Sequence, residues 1–112
     1  MTQDSATHLL VLTNLPDKAS ALELAKSLVD KRLAACVNVL DGCTSLYRWR
    51  GEVQTDREIP VLIKTSAERF AVLQQEILAL HPYELPEVIA LPVDRGLDAY
   101  LSWVDTELDI LR

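Results

Sequence analysis

The chain is short of the residues that usually announce a function. Its 112 residues include two cysteines, three glycines, two histidines, one phenylalanine and one methionine, and only 5% are aromatic. Cys36 and Cys43 lie seven apart in one extended stretch. A bridge there would bend the strand sharply, so two free thiols are expected, as in a reducing compartment. No apolar run approaches the ~20 residues of a membrane-spanning helix. No basic region precedes the short apolar run Leu9–Leu12, so a secretory leader is not expected and the cytoplasm is the default location. Acidic residues outnumber basic ones, 17 to 11, for a net charge of −6 without a basic stripe. That balance argues against nucleic acid as a partner.

What is present is the material of one globular domain. Hydrophobic residues make up 49% of the chain, enough for a single core spanning residues 1–112, with residues 1–7 as a frayed tail. His8–Thr13 reads as a first strand ended by the turn cluster Asn14-Leu15-Pro16-Asp17. A helix follows, capped by Asp17 or by a Ser20–Glu23 capping box, with Leu22, Ala25, Leu28 and Val29 as its buried face. Ala34–Leu40 and Thr44–Trp49 read as one long strand with a kink at Asp41-Gly42. Arg50-Gly51 is a two-residue hairpin turn, and Glu52–Thr65 is the return strand. In that strand Ile59, Val61 and Ile63 share one face, and Glu58, Leu62 and Lys64 share the other. Pro60 sits inside it without a donor for the ladder, an unresolved conflict at this point. Thr65 with Glu68 is expected to cap a second helix buried through Phe70, Leu73, Ile77 and Leu80. Asp94-Arg95-Gly96 turns the chain into a last helix built on Leu97, Tyr100, Leu101, Val104, Leu108 and Leu111.

Strand, helix, strand, strand, helix, strand, helix is an α+β order. It predicts a ferredoxin-like βαββαβ sandwich with an antiparallel sheet and an extra carboxy-terminal helix. The two hairpin strands run to about fourteen residues each, against about five or six for ordinary strands. So small a domain cannot cover them. A projecting hairpin bearing Leu46, Tyr47 and Trp49 predicts a partner subunit.

The densest polar stretch is His81 to Val93, HPYELPEVIALPV. Pro82 ends the second helix, the loop collects His81, Tyr83, Glu84 and Glu87, and Val88–Leu91 has the length of a buried strand. His81 is either a helix cap or a ligand, and with Glu84 and Glu87 it makes a candidate hard-ion set. Cys36 is either a small buried hydrophobe or a thiolate ligand, its spacing from Cys43 being unlike that of structural zinc sites. Glu58 and Lys64 are candidates for pairing across a subunit boundary. Tyr100 and Trp103, three apart on the last helix, suit a core or an interface. No nucleophile–base arrangement can be built from two histidines and two cysteines, so catalysis is not expected. The position after strand one lacks the Cys-x-x-Cys of a copper chaperone, the central strands lack the aromatics of an RNA-binding sheet, and there is no glycine- and arginine-bearing phosphate loop.

The chain resembles a known family at several points at once. These are Leu33-Ala34-Ala35-Cys36-Val37-Asn38, Ser45-Leu46-Tyr47 with Trp49 and Gly51, Glu58 with Ile63-Lys64-Thr65, His81-Pro82-Tyr83-Glu84 with Pro86-Glu87, and Tyr100-Leu101 with Trp103. Together they are similar to the CutA family, the divalent-cation tolerance proteins, over about residues 8 to 104. The resemblance implies a ferredoxin-like fold in a tight homotrimer, hairpins wrapping neighbouring subunits, and clefts between subunits like those of PII signalling proteins. It implies a cytoplasmic, non-enzymatic role in tolerance to divalent metals, copper in particular.

On that basis His81, Glu84, Glu87 and Cys36 are the metal candidates. Trp49, Glu58, Lys64, Tyr83, Tyr100 and Trp103 are the cleft candidates. Some family members are thought to hold copper with a cysteine ending strand one and a histidine pair before the Pro-Tyr. Here those places read Thr13 and Leu80-His81, so a soft Cu(I) site on strand one is not expected. The alternative expectation is a PII-like module binding a small anionic metabolite, with Lys64 supplying charge and Trp49 and Tyr83 stacking.

Overall fold

The computed structural model describes residues 7–112. The expected tail therefore lies, apart from Thr7, outside the described residues. Thr7 itself is tied down, its carbonyl accepting the Ala67 N–H at 3.0 Å. The elements are β1 (His8–Leu15), α1 (Lys18–Asp30), β2 (Cys36–Val39), β3 (Cys43–Trp49), β4 (Glu52–Ser66), α2 (Phe70–Leu80), β5 (Ile89–Pro92) and α3 (Asp98–Glu107). The sheet is antiparallel throughout, ordered β2-β4-β1-β5, with β3 pairing the outer half of β4. This is the α+β, ferredoxin-like arrangement expected, with the long hairpin and the added helix.

β4 is the spine. Its 15 residues pair with β1 along one edge and with β2 and then β3 along the other. Ile59, Val61 and Ile63 point into the core and meet Leu24 and Leu28 of α1 and Leu73 and Ile77 of α2. α1 starts at Asp17, whose carboxylate accepts the Ser20 N–H at 2.8 Å, so the Ser20–Glu23 box is not used. Its buried face is Ala21, Leu24 and Leu28, while Leu22 and Val29 are exposed. The apolar stripe is thus rotated from the one expected, because Leu22 and Val29 extend it toward solvent.

The expected cap on α2 does not form. Thr65 belongs to β4, where its hydroxyl donates to the buried Leu33 carbonyl at 2.7 Å. A 3-10 turn over Ala67–Arg69 then intervenes, and α2 begins without a side-chain cap. Leu80 is exposed, and the next inward position is taken by His81, 8% exposed. β5 is an exposed edge rather than a buried strand: all four of its residues are exposed, Ile89 by 49%. The last helix buries Val104 and Leu108 against Ala35, but Leu97 and Leu111 are exposed.

The conflict at Pro60 resolves at the kink. Val39 pairs with Val61 and Cys43 with Glu58, so Leu40, Asp41 and Gly42 face only Ile59 and Pro60. That is a bulge. The Pro60 carbonyl accepts the Leu40 N–H at 3.0 Å, and within an antiparallel strand a residue's carbonyl and nitrogen point the same way. The missing N–H of Pro60 therefore faces the bulge, where the ladder is already interrupted. Beyond it the hairpin continues to Arg50-Gly51, both at positive φ (51° and 85°) as a tight primed turn requires.

The hairpin carries the molecule's length. The chain measures 46 × 37 × 23 Å with a radius of gyration of 15.0 Å, above the about 13 Å expected for a compact domain of this size. Leu46 and Val53 on it are 69% and 62% exposed. No helix among the described residues is long and apolar enough to cross a membrane.

Candidate functional site

Proline decides where the site begins. Pro82 disfavours helix at its predecessor, and His81 leaves α2 with extended backbone at φ −79°, ψ 131°. Its ring is then held on both sides. Nδ1 accepts the Tyr83 N–H at 3.2 Å, which places the proton on Nε2, and Nε2–H donates to the Asn14 carbonyl at 2.7 Å. Burial holds the imidazole's pKa below its ordinary value, outweighing the Asn14 hydrogen bond and the charge of Glu58. His81 is a neutral staple that fixes the 82–88 loop to the end of β1.

That loop bends over the hairpin and closes one side of a cleft of about 980 Å³. Tyr83 crosses to β4, where its hydroxyl donates to Glu58 Oε2 at 2.9 Å. Burial first, then the bond to Glu58, push the Tyr83 phenol well above its ordinary range. Glu58 is only 8% exposed. Nearer the hairpin tip the Tyr47 hydroxyl donates to Asp56, a bond that raises the Tyr47 pKa. Leu46, Leu85, Pro86, Val88 and Ile89 supply apolar walls, and Trp49 lies at the outer end. There Arg50 stands 5.2 Å from the Trp49 ring centre and reaches both Glu84 oxygens, at 2.9 and 3.1 Å. Glu87 accepts the Asn14 side-chain amide at 3.1 Å.

Trp49, Glu58, Tyr83, Glu84 and Glu87 thus line one cleft, with His81 bracing it from behind. Lys64 does not reach it. It lies six residues from Glu58 along β4, roughly 20 Å at the usual strand rise, and its ammonium bonds the Asn38 side chain and sits 3.9 Å from Cys36 Sγ. Tyr100 joins this second group. Burial, then the Cys36 thiol, raise its pKa, and Trp103 packs on it with ring centres 5.5 Å apart. Lys64 and the 82–88 loop are therefore separate within one chain.

Metal candidacy changes as well. Among the described residues no three His, Cys, Asp or Glu side chains are placed to hold a metal ion. Both His81 nitrogens and the Glu84 carboxylate are committed to partners, and Cys36 stands with Lys64. Thr13, at the position where a soft ligand was lacking, is buried. Within a single chain the described residues do not assemble a coordination set for a resident ion.

Two features were missed in the sequence. Asp56 shares the Glu58 face of β4 by simple alternation, a signal available but unused. The other is a polar chain at the opposite end, buried at His8 and Asp105 and running out to the exposed Arg112 and Glu68. His8 Nε2 meets Asp105 Oδ1 at 2.9 Å, Arg112 donates to Asp105 Oδ2 at 2.8 Å, and Arg112 also pairs with Glu68. Partners 97 residues apart leave no local signal.

A ferredoxin-like sheet, a hairpin that continues its central strand past the bulge and a cleft under a His-Pro-Tyr loop define a distinct kind of α+β domain. The family model for the CutA1 divalent ion tolerance protein matches residues 9–107, and the chain belongs to that family. The divalent-cation tolerance protein CutA of Thermus thermophilus is 47% identical over 95 residues, covering 85% of this chain and 92% of that protein. Protein CutA of Mus musculus is 45% identical over 89 residues, 80% of this chain; the chain spans about half of that longer protein, 50%. The crystal structure of CutA from Xylella fastidiosa matches with a TM-score of 0.90 at 45% identity, over 93% of this chain and 100% of that one.

Proposed function

We propose that this chain acts in divalent-cation tolerance as a non-enzymatic homotrimer in the cytoplasm, engaging metal weakly or indirectly rather than holding a resident ion. Family membership over residues 9–107 carries the reading. The exposed hairpin and β5 edge support assembly, since Leu46, Val53, Ile89 and Leu91 would otherwise face water. Two free cysteines suit a reducing compartment. A divalent ion that does bind would meet Glu84, Glu87 and His81 at the cleft, or Cys36 beside Lys64, and would have to displace their present partners or take ligands from a neighbouring subunit.

A second reading is favoured by the cleft itself. At about 980 Å³ it lies near the upper end of small-molecule sites, roughly 300–1,000 Å³, and suits a PII-like module that binds a small ligand. Calorimetric titration of the chelator-treated protein with Cu2+ and Zn2+ tests the first reading. Heat that disappears in His81→Ala supports metal engagement at the cleft, and no heat from either ion defeats direct binding. Light scattering giving a monomer would defeat the trimer.

A further inference from the structure

We propose that Cys36 and Lys64 form a modification site in which peroxide oxidation of the thiol is captured by the lysine amine as a reversible sulfur–nitrogen bond. The bond would staple β2 to β4 and remove the charge of Lys64. It goes beyond the role in cation tolerance and does not rest on it.

The sheet sets up the pair. Cys36 opens β2 and stands directly opposite Lys64 on β4. Opposed residues of an antiparallel pair share a face, with Cβ atoms about 4.5–5.5 Å apart. A lysine in such a pair is free to swing away on its four-carbon stem. Here the Asn38 side-chain oxygen, on the same face of β2, accepts from the ammonium and holds it over the strand. Nζ therefore stands 3.9 Å from Cys36 Sγ. The Tyr100 phenol of α3 also approaches the thiol. Cys36 and Lys64 are both half-buried, which leaves the sulfur open to a molecule as small as hydrogen peroxide.

Cys43 provides the contrast. It too is a free, half-buried thiol, but it stands opposite Glu58 and 3.6 Å from the Ser45 hydroxyl. It has an acid and an alcohol where Cys36 has an amine. Nor do the two thiols reach each other. Their partners on β4, Lys64 and Glu58, are six residues apart, roughly 20 Å at the usual strand rise, whereas a disulfide needs Cα atoms within about 7 Å. Within one chain the nucleophile beside an oxidised Cys36 is thus Lys64.

The chemistry balances in two steps. Hydrogen peroxide gives one oxygen to the Cys36 sulfur, which becomes a sulfenic acid, and leaves as water. The Lys64 ammonium yields a proton to solvent, and its nitrogen lone pair attacks that sulfur. The S–O bond breaks as the S–N bond forms, and the hydroxyl departs with a second amine proton as water. Capture at this stage protects the sulfur from irreversible sulfinic and sulfonic acids, and a thiol reductant restores both side chains.

The test is hydrogen peroxide treatment of the full chain carrying Cys43→Ser, which leaves Cys36 as its one thiol, followed by intact mass spectrometry and tryptic mapping. The expected product is two hydrogen masses lighter, is not cut by trypsin after Lys64, and yields the Cys36 and Lys64 peptides linked. Dithiothreitol should reverse all three changes. Lys64→Arg keeps the charge but not the amine, and should lose the linked product and accumulate sulfinic and sulfonic acids at Cys36. Three results would overturn the proposal: a product that only gains oxygen, a lighter product that persists in Lys64→Arg or runs as a disulfide dimer, or no reaction at Cys36 under conditions that oxidise Cys43 in the unaltered protein. Should Lys64→Arg fail to assemble, the presence or absence of the linked peptide with Lys64 intact still decides.

Discussion

Tyr83 and Glu58, 25 residues apart in sequence, share one hydrogen bond of 2.9 Å that ties the His81–Val93 loop to the central strand. The bond spans the cleft floor and satisfies part of a carboxylate that is otherwise without a partner among the described residues. Tyr83→Phe removes the donor and leaves the acceptor buried, which should cost about 1–3 kcal/mol. Glu58→Gln keeps a neutral acceptor in place and should cost less. Urea denaturation at a fixed protein concentration, needed because assembly adds to stability, distinguishes the two.

His81 makes stability depend on pH. Its folded pKa lies below the ordinary 6.5, so between the two values the unfolded chain binds more protons than the folded one. Stability is therefore full above about pH 6.5 and falls as pH drops through that value toward the folded pKa. Protonation also turns Nδ1 from an acceptor into a donor opposite the Tyr83 N–H. Thermal denaturation between pH 7 and 5 should show a decline that His81→Gln removes. An unchanged decline in that variant would assign it to other groups.

Pro60 should be nearly silent. Its missing N–H faces the Leu40–Gly42 bulge, so restoring a donor with Pro60→Ala offers no ladder hydrogen bond. The remaining effect is greater freedom of the unfolded chain, about 0.4–1 kcal/mol of destabilisation. A gain in stability on chemical denaturation would show that the bulge closes when the proline is removed.

Asp105 holds the carboxy-terminal end to β1. Burial pushes its pKa up, but hydrogen bonds from Arg112 and His8 outweigh this and hold it below the ordinary carboxylate range. Asp105→Ala leaves His8 buried without its partner, at a cost of about 1–3 kcal/mol. Amide hydrogen exchange should then show faster opening in α3 and in Arg69, whose guanidinium donates to the Leu108 carbonyl.

The sheet was legible because alternation on the return strand assigned Ile59, Val61 and Ile63 to the core without help from any other element. Helix faces were less so. Leu22 and Val29 fit an apolar stripe by spacing, and only the position of the sheet shows that Ala21 and Leu24 carry it instead. The Thr65 cap failed because a strand side chain with a buried acceptor 32 residues away competes with any local motif. At the site, the loop's composition marked the location correctly, but partners could not be read from it. His81 looked like a ligand because the sequence does not reveal that Asn14 and Tyr83 occupy both its nitrogens. Lys64 shares a strand face with Glu58, but a shared face does not reveal that the two stand roughly 20 Å apart within one chain.

The claim that the cleft is the functional site can be tested with the chain's own reporters. Its two tryptophans divide cleanly: Trp49 lines the cleft, and Trp103 packs on Tyr100 well away from it. Nitrogen-15 NMR resolves their indole N–H signals during titration with a divalent cation. The account predicts that the Trp49 signal moves with ligand concentration while that of Trp103 stays in place. Movement of Trp103 with Trp49 unaffected would put the binding site beside Cys36 and Lys64 and contradict it.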